Sequence, residues 1–148
     1  MEKQVALISC VSKKLNNKME AYKLYSPSML FKAHWNWALQ KAKLDPRNDE
    51  IFIISAKHGL LHPFKKIEKY DVTLKNMSPK EKKEWAQRVY TQLKEKFKSD
   101  LSEITFLILA GRDYYEELVK LLPKYKLVPE EPLPIGKRVQ WFQNEIKK

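Results

Sequence analysis

The stretch IFIISAKHGLLHP, residues 51–63, begins as a buried strand and ends in a cluster of polar residues. Its first four residues are apolar and rich in β-branched isoleucine, a composition typical of a strand that is covered on both faces. A hydroxyl, an ammonium, an imidazole and a glycine come directly afterwards. These residues are Ser55, Lys57, His58 and Gly59. A strand buried on both faces needs parallel neighbours and covering helices, and the rest of the chain offers both.

Two further apolar runs, Gln4–Ser9 and Ile104–Ala110, are predicted to pair with this strand in parallel. Helical patterns lie between and after the three strands. The clearest helix begins at SPKE, where Ser78 is the predicted N-cap, Pro79 the first helical residue and Glu81 the third, completing a capping box. The other predicted helices are Ser26–Leu44 with Ser26 as cap, Arg112–Tyr125 with an end near Pro123, and a last helix from Gly136 to the C-terminus.

This alternation of strands and helices predicts an α/β fold with three layers, in which helices flank a mostly parallel sheet. The chain has 148 residues, of which 43% are hydrophobic, enough to bury one sizeable core. A single domain over residues 1–148 is therefore expected.

Charge is the strongest global feature of the sequence. Lysine and arginine total 29 against 18 acidic residues, a formal net charge of +11, and such a surplus attracts polyanions. This favours DNA or a nucleotide as partner. The alternative interpretation is a bias toward lysine, because only four of the basic residues are arginines and the charge is spread along the chain.

The sequence predicts a cytoplasmic protein without a membrane segment. Its single cysteine, Cys10, cannot form an internal disulfide, and the first ten residues, MEKQVALISC, lack the pattern of a signal peptide. No apolar run approaches the ~20 residues that a membrane-spanning helix needs. With one cysteine, three scattered histidines and no nucleotide-binding glycine motif, no metal and no cofactor are expected.

Each predicted strand ends in polar residues: SCVSKK at 9–14, SAKHG at 55–59 and AGRDYY at 110–115. Because the carboxyl ends of parallel strands share one edge of a sheet, the three segments are predicted to meet in a ligand-binding crevice. Gly59 and Gly111, at two of these exits, are interpreted as positions of positive φ or of close backbone approach to a ligand. Turns alone also favour glycine. The candidate substrate- or phosphate-binding residues are Ser9, Cys10, Lys13, Lys14, Ser55, Gly59, Tyr70, Gly111, Arg112, Tyr114 and Tyr115.

Three ionisable residues are candidates for catalysis: Lys57, His58 and Asp71. They supply a cation, a group that exchanges a proton near neutral pH and a carboxylate. The segment IEKYDVTL, with Tyr70 and Asp71, is expected to fold over the crevice as a strap. A structural hydrogen bond for His58 and a turn or cap role for Asp71 are the alternative interpretations.

Anion binding is predicted where the third strand leads into a helix at Gly111 and Arg112, and a further phosphate contact is predicted for Gly136, Lys137 and Arg138. Two adjacent tyrosines, Tyr114 and Tyr115, supply aromatic faces for a base, with one of them expected to face the core. Cys10 is interpreted as a packing residue rather than a nucleophile, since a lone cysteine beside a strand is usually a small buried hydrophobe.

Five segments in order carry a resemblance to a known family: VALISCVSKK, LYSPSMLF, IISAKHGLLHPFKKIEKYDVTL, LILAGRDYYEEL and PLPIGKRVQWF. This pattern resembles a family of uncharacterised bacterial, archaeal and phage domains. It is distantly similar to the YaaA peroxide-stress proteins and to DpdC, from the gene clusters that place 7-deazaguanines in DNA. The resemblance implies DNA binding in the first branch and base modification in the second, and it assigns no catalytic residue.

Two hypotheses therefore follow from the sequence. In the first, the protein is an enzyme, a hydrolase or transferase, that acts on a nucleobase or nucleotide in the crevice at the strand ends. In the second, it is a non-catalytic basic DNA-binding protein of the stress-response type.

Overall fold

The fold is built on a five-stranded, mostly parallel sheet whose three inner strands are the three apolar runs. The computed structural model describes residues 3–10, 14, 17–98 and 101–148. The strands are β1 (Lys3–Ser9), β2 (Met19–Glu20), β3 (Ile51–Ser55), β4 (Gly59–Leu61), β5 (Lys66–Ile67), β6 (Ile104–Leu109) and β7 (Tyr125–Leu127). The α-helices are α1 (Ala21–Leu24), α2 (Met29–Asn36), α3 (Pro79–Phe97), α4 (Arg112–Tyr115) and α5 (Ile135–Lys147).

The sheet has the strand order β4-β3-β1-β6-β7, in which β4 alone is antiparallel to its neighbour. Strand β1 lies at the centre and pairs with β3 on one side and β6 on the other. All five residues of β3 are buried, as a continuous apolar run requires when helices cover both faces of a sheet. The predicted α/β fold of one domain is confirmed, and the three predicted strands agree with the structure to within one residue.

Helix α3 confirms the capping-box prediction. The hydroxyl of Ser78 accepts a hydrogen bond from the backbone N–H of Glu81 at 3.2 Å, and the Glu81 carboxylate accepts one from the N–H of Ser78 at 3.0 Å. Trp85, Val89 and Leu93 are buried along one face of the helix. The two reciprocal bonds fix where α3 begins, and the apolar face fixes how it packs.

The predicted helix Ser26–Leu44 begins later and changes its geometry. Ser28, not Ser26, is the N-cap, and its hydroxyl accepts from the N–H of Phe31 at 3.1 Å. The backbone N–H of Ser26 donates a hydrogen bond to the carbonyl of Lys23, so the chain there is still in the turn that follows α1. After Asn36 the helix continues as a π-helix over Trp37–Lys41.

The predicted helix Arg112–Tyr125 was wrong beyond its first turn. Within residues 112–125, only α4 is α-helical, and the chain then runs through successive turns into β7. Strand β7 pairs in parallel with Phe106–Ile108 of β6. The last helix, α5, begins one residue before the predicted position and packs against α2. Strands β4 and β7 were missed because three residues are too few to show a periodic pattern.

Candidate functional site

A cleft of about 520 Å³ opens at the carboxyl ends of β1 and β6, and we call it the central cleft. This is the edge where an open parallel sheet binds ligands, and the volume lies within the usual range for small-molecule sites. The end of β1, the start of α2, the segment after β6, the strap before α3 and the first turn of α5 form its walls. The lining residues are Ser9, Cys10, Lys14, Ser28, Leu30, Asp71, Val72, Thr73, Lys75, Gly111, Asp113, Tyr114, Ile135 and Arg138.

A second cleft of about 340 Å³, the side cleft, lies next to the central one. Both clefts are lined by Gly111, Ile135 and Arg138. The other residues of the side cleft include Arg112, Tyr115, Pro129, Glu131, Leu133 and Pro134. The two clefts therefore meet along one shared wall.

The structure brings seven of the predicted site residues together in the central cleft: Ser9, Cys10, Lys14, Asp71, Gly111, Tyr114 and Arg138. Arg112 and Tyr115 line the side cleft. Ser55 and Tyr70 are buried, Lys57 and His58 lie in the turn after β3, and Gly59 is the first residue of β4. Lys13 lies outside the described residues. The strap residues Asp71–Thr73 line the central cleft, in agreement with the expectation for IEKYDVTL.

A buried network of hydroxyl groups lies among these elements. The Tyr70 hydroxyl is hydrogen-bonded to Ser55 Oγ at 2.8 Å and also to the Tyr25 hydroxyl. Burial raises the pKa of both Tyr25 and Tyr70, so both phenols are neutral at physiological pH. This network fixes the position of the strap, because Tyr70 immediately precedes Asp71.

Lys14 lies over the face of the Tyr70 ring, with its Nζ 4.5 Å from the ring centroid. Partial burial lowers the pKa of the Lys14 ammonium, while the neighbouring Cys10 and Asp71 act in the opposite direction. An amine that is easier to deprotonate than usual therefore lies beside the Asp71 carboxylate in the central cleft.

Cys10 continues the line of β1 into the wall of the cleft and is 6% exposed. Its sulfur lies 3.1 Å from the Tyr114 hydroxyl and accepts a hydrogen bond from the N–H of Ala56 at 3.4 Å. Burial raises the pKa of Tyr114, whose ring packs edge-on against Trp85 at 5.6 Å. The thiol is thus packed and hydrogen-bonded on its protein side, while Cys10 still borders the central cleft.

The turn after β3 is held by its own serine. Ser55 Oγ accepts hydrogen bonds from the N–H groups of Lys57 and His58 at 3.2 and 3.1 Å. Gly59 has the positive φ expected for a glycine turn, +71°. Gly111 has a φ of −75°, so the positive φ predicted there was wrong. A methyl group there would contact no described residue, and close approach of this backbone to a ligand stays a prediction.

Helix α3 clamps this turn through three polar side chains. Trp85 Nε1 donates to the carbonyl of Ser55 at 2.8 Å, and Arg88 donates to that of Lys57 at 2.9 Å. Gln92 donates to the carbonyl of His58 at 3.3 Å and accepts from the N–H of Leu60 at 2.8 Å. The spacing of 85, 88 and 92 along one helix face was the available signal, and none of these three residues was among the predicted site residues.

Lys57 and His58 are not among the residues that line the central cleft. Lys57 is exposed, with its Nζ 5.8 Å from the centroid of the Tyr70 ring, and His58 packs edge-on against the same ring at 5.4 Å. Burial lowers the pKa of His58, and the cations Lys57, Lys65 and Arg88 lower it further. In the described part of the chain, no hydrogen bond joins Asp71 to His58. Catalytic roles for Lys57 and His58 stay predictions.

Arg138 is the cation that the fold buries between the two clefts. Its side chain is on the first turn of α5, the residue is 9% exposed, and its guanidinium donates to the carbonyl of Ala110 at 3.2 Å. A second guanidinium nitrogen lies 3.4 Å from Nε2 of His34, and Nε has no hydrogen-bond partner among the described residues. Within those residues Arg138 also forms no ion pair, so its charge is buried without a carboxylate.

His34 is fully buried beside Arg138. Burial, followed by the adjacent guanidinium charge, holds the pKa of His34 well below its usual range. The imidazole is therefore neutral and accepts the hydrogen bond from Arg138 through Nε2. It orients the guanidinium without neutralising it.

Arg112 differs from Arg138 in both exposure and partner. Its side chain is 77% exposed and pairs with Glu116 at 3.4 Å. Helix α4, at whose start it lies, has a single turn, so the helix dipole expected at Gly111 and Arg112 is small. Of the two arginines near the clefts, Arg138 is the one with an unsatisfied buried charge.

No group of three or more histidine, cysteine, aspartate or glutamate side chains is placed to hold a metal ion among the described residues. None of the described helices is both long enough and apolar enough to cross a membrane.

Comparison with known proteins gives a family and no relative of known function. A family model described as a family of unknown function (DUF6884) matches residues 5–144, which is nearly the whole chain. No curated protein and no solved structure matches the chain.

Proposed function

We propose that this chain, which belongs to the family of unknown function DUF6884, is a cytosolic enzyme that acts on a nucleobase or nucleotide in the central cleft. The observation that carries the proposal is the buried guanidinium of Arg138, which has no carboxylate partner among the described residues and lines the cleft that also holds Asp71, Lys14 and Cys10. The arginine indicates the class of substrate. The cleft residues around it indicate the type of reaction.

A buried arginine without a counter-ion favours an anionic ligand. Taking a charge out of water costs several kcal/mol, and hydrogen bonds to one carbonyl and one neutral histidine only partly offset that cost. A phosphate group restores the missing negative charge and accepts the planar donors of a guanidinium. The substrate is accordingly expected to carry phosphate at the Arg138 wall of the cleft.

The remaining cleft residues suit chemistry on the organic part of such a substrate. Asp71 supplies an exposed carboxylate, and Lys14 supplies an amine whose pKa is lowered by partial burial. Groups of this kind move protons to and from a substrate when they lie within hydrogen-bond reach of it. Neutral Tyr114 offers a hydroxyl to an oxygen or ring nitrogen. We place the reaction among hydrolases or transferases on this basis.

The resemblance of the motifs to YaaA and DpdC supports a nucleic-acid setting for this chemistry. In that resemblance, the first branch binds DNA and the second takes part in modification of a DNA base. The net charge of +11 adds a general attraction for DNA or nucleotides. Motif resemblance and net charge favour a nucleic-acid partner, whereas Arg138 indicates where in the cleft a phosphate would bind.

The first experiment compares two arginines. Nucleotide binding is measured by calorimetry for Arg138→Met and for Arg47→Met, a matched change at an arginine that is 79% exposed and precedes the amino end of β3. We expect Arg138→Met to weaken binding by about tenfold or more, equivalent to ~1.4 kcal/mol, and Arg47→Met to leave it nearly unchanged. Circular dichroism checks that both variants are folded. If Arg138→Met is not folded, Arg138→Lys replaces it in the binding comparison.

The second experiment tests catalysis directly. The protein is incubated with DNA and with a mixture of deoxynucleotides, and products are analysed by mass spectrometry for wild type and Asp71→Asn. We expect a changed base or nucleotide with wild type and its loss with Asp71→Asn, while nucleotide binding persists. Equal weakening of DNA binding by Arg138→Met and Arg47→Met, without any product, would instead identify a non-catalytic basic DNA-binding protein.

A further inference from the structure

Arg138 stands between two clefts, and this position narrows the class of ligand. We infer that the ligand is a nucleic-acid phosphodiester, bound with its phosphate at Arg138 and with one nucleoside in each cleft. The inference rests on the proposed function, because it takes nucleotide binding at the central cleft as given. It adds that the natural ligand is a dinucleotide unit or a strand, rather than a free mononucleotide.

The arrangement of the clefts supports a ligand with two arms. The central cleft measures about 520 Å³ and the side cleft about 340 Å³, and the wall common to both consists of Gly111, Ile135 and Arg138. A mononucleotide whose phosphate contacts Arg138 would occupy one cleft and leave the other empty. A phosphodiester has an organic group on each side of its phosphorus, which matches a cation with a cleft on each side.

The shared wall contains a second element suited to an anion. Arg138 belongs to the first turn of α5, and the residue preceding that helix, Pro134, gives it no side-chain cap. The first backbone N–H groups of a helix lack intrahelical acceptors, and the helix dipole makes this end attractive to negative charge. Together with the guanidinium of Arg138, a nine-tenths buried residue that lines both clefts, these groups form a site for one phosphate.

The charge of the side cleft argues against a second phosphate there. Glu131 lines it, and Arg112 is already paired with Glu116. Pro129, Leu133 and Pro134 supply apolar surface, and Tyr115 supplies an aromatic ring. Such a surface favours a neutral nucleoside, whose base stacks on an aromatic ring, over a pyrophosphate or triphosphate tail. The reacting nucleoside is then the one in the central cleft, beside Asp71 and Lys14.

Calorimetry with two series of probes tests this inference. The probes are the four deoxynucleoside 5′-monophosphates and the four homodinucleoside monophosphates, each titrated into wild type, Arg138→Met and Leu133→Trp. We expect the best dinucleoside monophosphate to bind at least about tenfold more tightly than the mononucleotide of the same base. Arg138→Met should weaken the binding of both series of probes. Leu133→Trp, which fills the side cleft, should remove the preference for the dinucleoside monophosphate. A methylphosphonate dinucleoside, which lacks the charge, should lose affinity as Arg138→Met does.

The possible failures are distinguishable. If mononucleotides bind as tightly as dinucleosides and Leu133→Trp changes neither, the phosphodiester inference is overturned while the proposed function stands. If Arg138→Met leaves the binding of both probes intact, or if neither probe binds to wild type, both proposals fall together.

Discussion

The hydroxyl of Tyr114 lies 3.1 Å from the sulfur of Cys10, joining the end of β1 to α4 across 104 positions of sequence. The same sulfur accepts the N–H of Ala56, which comes directly after β3. Three strand exits that are far apart in sequence therefore meet at one thiol. The contact explains why the lone cysteine is placed here without requiring it to be a nucleophile.

We predict that Cys10→Ser keeps nucleotide binding. A serine hydroxyl can make both hydrogen bonds of the thiol, so affinity should stay within about threefold of wild type, and stability should fall by about 1 kcal/mol. Calorimetric titration and urea unfolding measure the two quantities. Rapid, selective alkylation of Cys10 with complete loss of binding would show that the thiol does more than pack.

Gly59→Ala is expected to destabilise the protein by about 1–2 kcal/mol, the usual cost of a left-handed conformation for a residue with a side chain. The added methyl would also lie 2.3 Å from Oε1 of Gln92, the side chain that clamps this turn. Gly136→Ala is the matched control, because a methyl there meets nothing and alanine favours a helix. The difference in the free energy of unfolding, measured in urea, checks the prediction. Equal values for the two variants would contradict it.

Tyr70→Phe should cost about 1–3 kcal/mol of stability. The change takes the Tyr70 partner away from the buried Tyr25 hydroxyl, and an unsatisfied buried polar group carries a penalty of that size. Ser55 Oγ loses one bond but still accepts from the N–H groups of Lys57 and His58. Tyr125→Phe, at an exposed tyrosine of β7, should change stability by less than about 0.5 kcal/mol. Thermal unfolding of both variants distinguishes a network that stabilises the strap from one that does not.

Stability should decrease as the pH falls below about 6.5, the usual pKa of histidine. The pKa values of His34 and His58 are lowered in the folded state, so over this range the unfolded chain binds more protons than the folded one. His34→Gln keeps a hydrogen-bond acceptor for Arg138 and removes one of the two imidazoles whose pKa is lowered by folding. We therefore expect a flatter dependence of the unfolding free energy on pH between 6.5 and 4.5. An unchanged slope would mean that His34 is protonated in the folded protein.

Binding to DNA is predicted to be weak, general and salt-dependent. If about four to six cations meet phosphates, log K should fall with log salt at a slope near −4 to −5. Lys57→Ala and Arg112→Ala are expected to weaken binding more than Lys83→Ala and Lys94→Ala on α3, although each removes one charge. Fluorescence anisotropy at several salt concentrations provides the comparison. Equal effects from the four substitutions would assign DNA binding to the overall charge alone.

Three strands and the start of α3 could be predicted from sequence because their signals are local. A strand covered on both faces must be apolar throughout, as in Ile51–Ile54, and a capping box needs only the residues from Ser78 to Glu81. Placement of the site at the strand ends also followed, since parallel strands share a carboxyl edge. Strand β7 gave no such signal, because its three residues are defined by pairing with β6 rather than by their own pattern.

Tertiary structure decided which of the candidate site residues are buried and which partners they have. Arg112 and Arg138 look alike in the sequence, because each lies one or two positions after a glycine near the start of a predicted helix. Packing of α5 against α2 buries Arg138 beside His34, 104 positions away, and leaves Arg112 in solvent with Glu116 as its partner. The sequence by itself determined that strands and helices alternate and that polar residues gather at one edge. Which of those residues carries an uncompensated charge depends on burial, and burial arises from contacts between segments that are far apart in the chain.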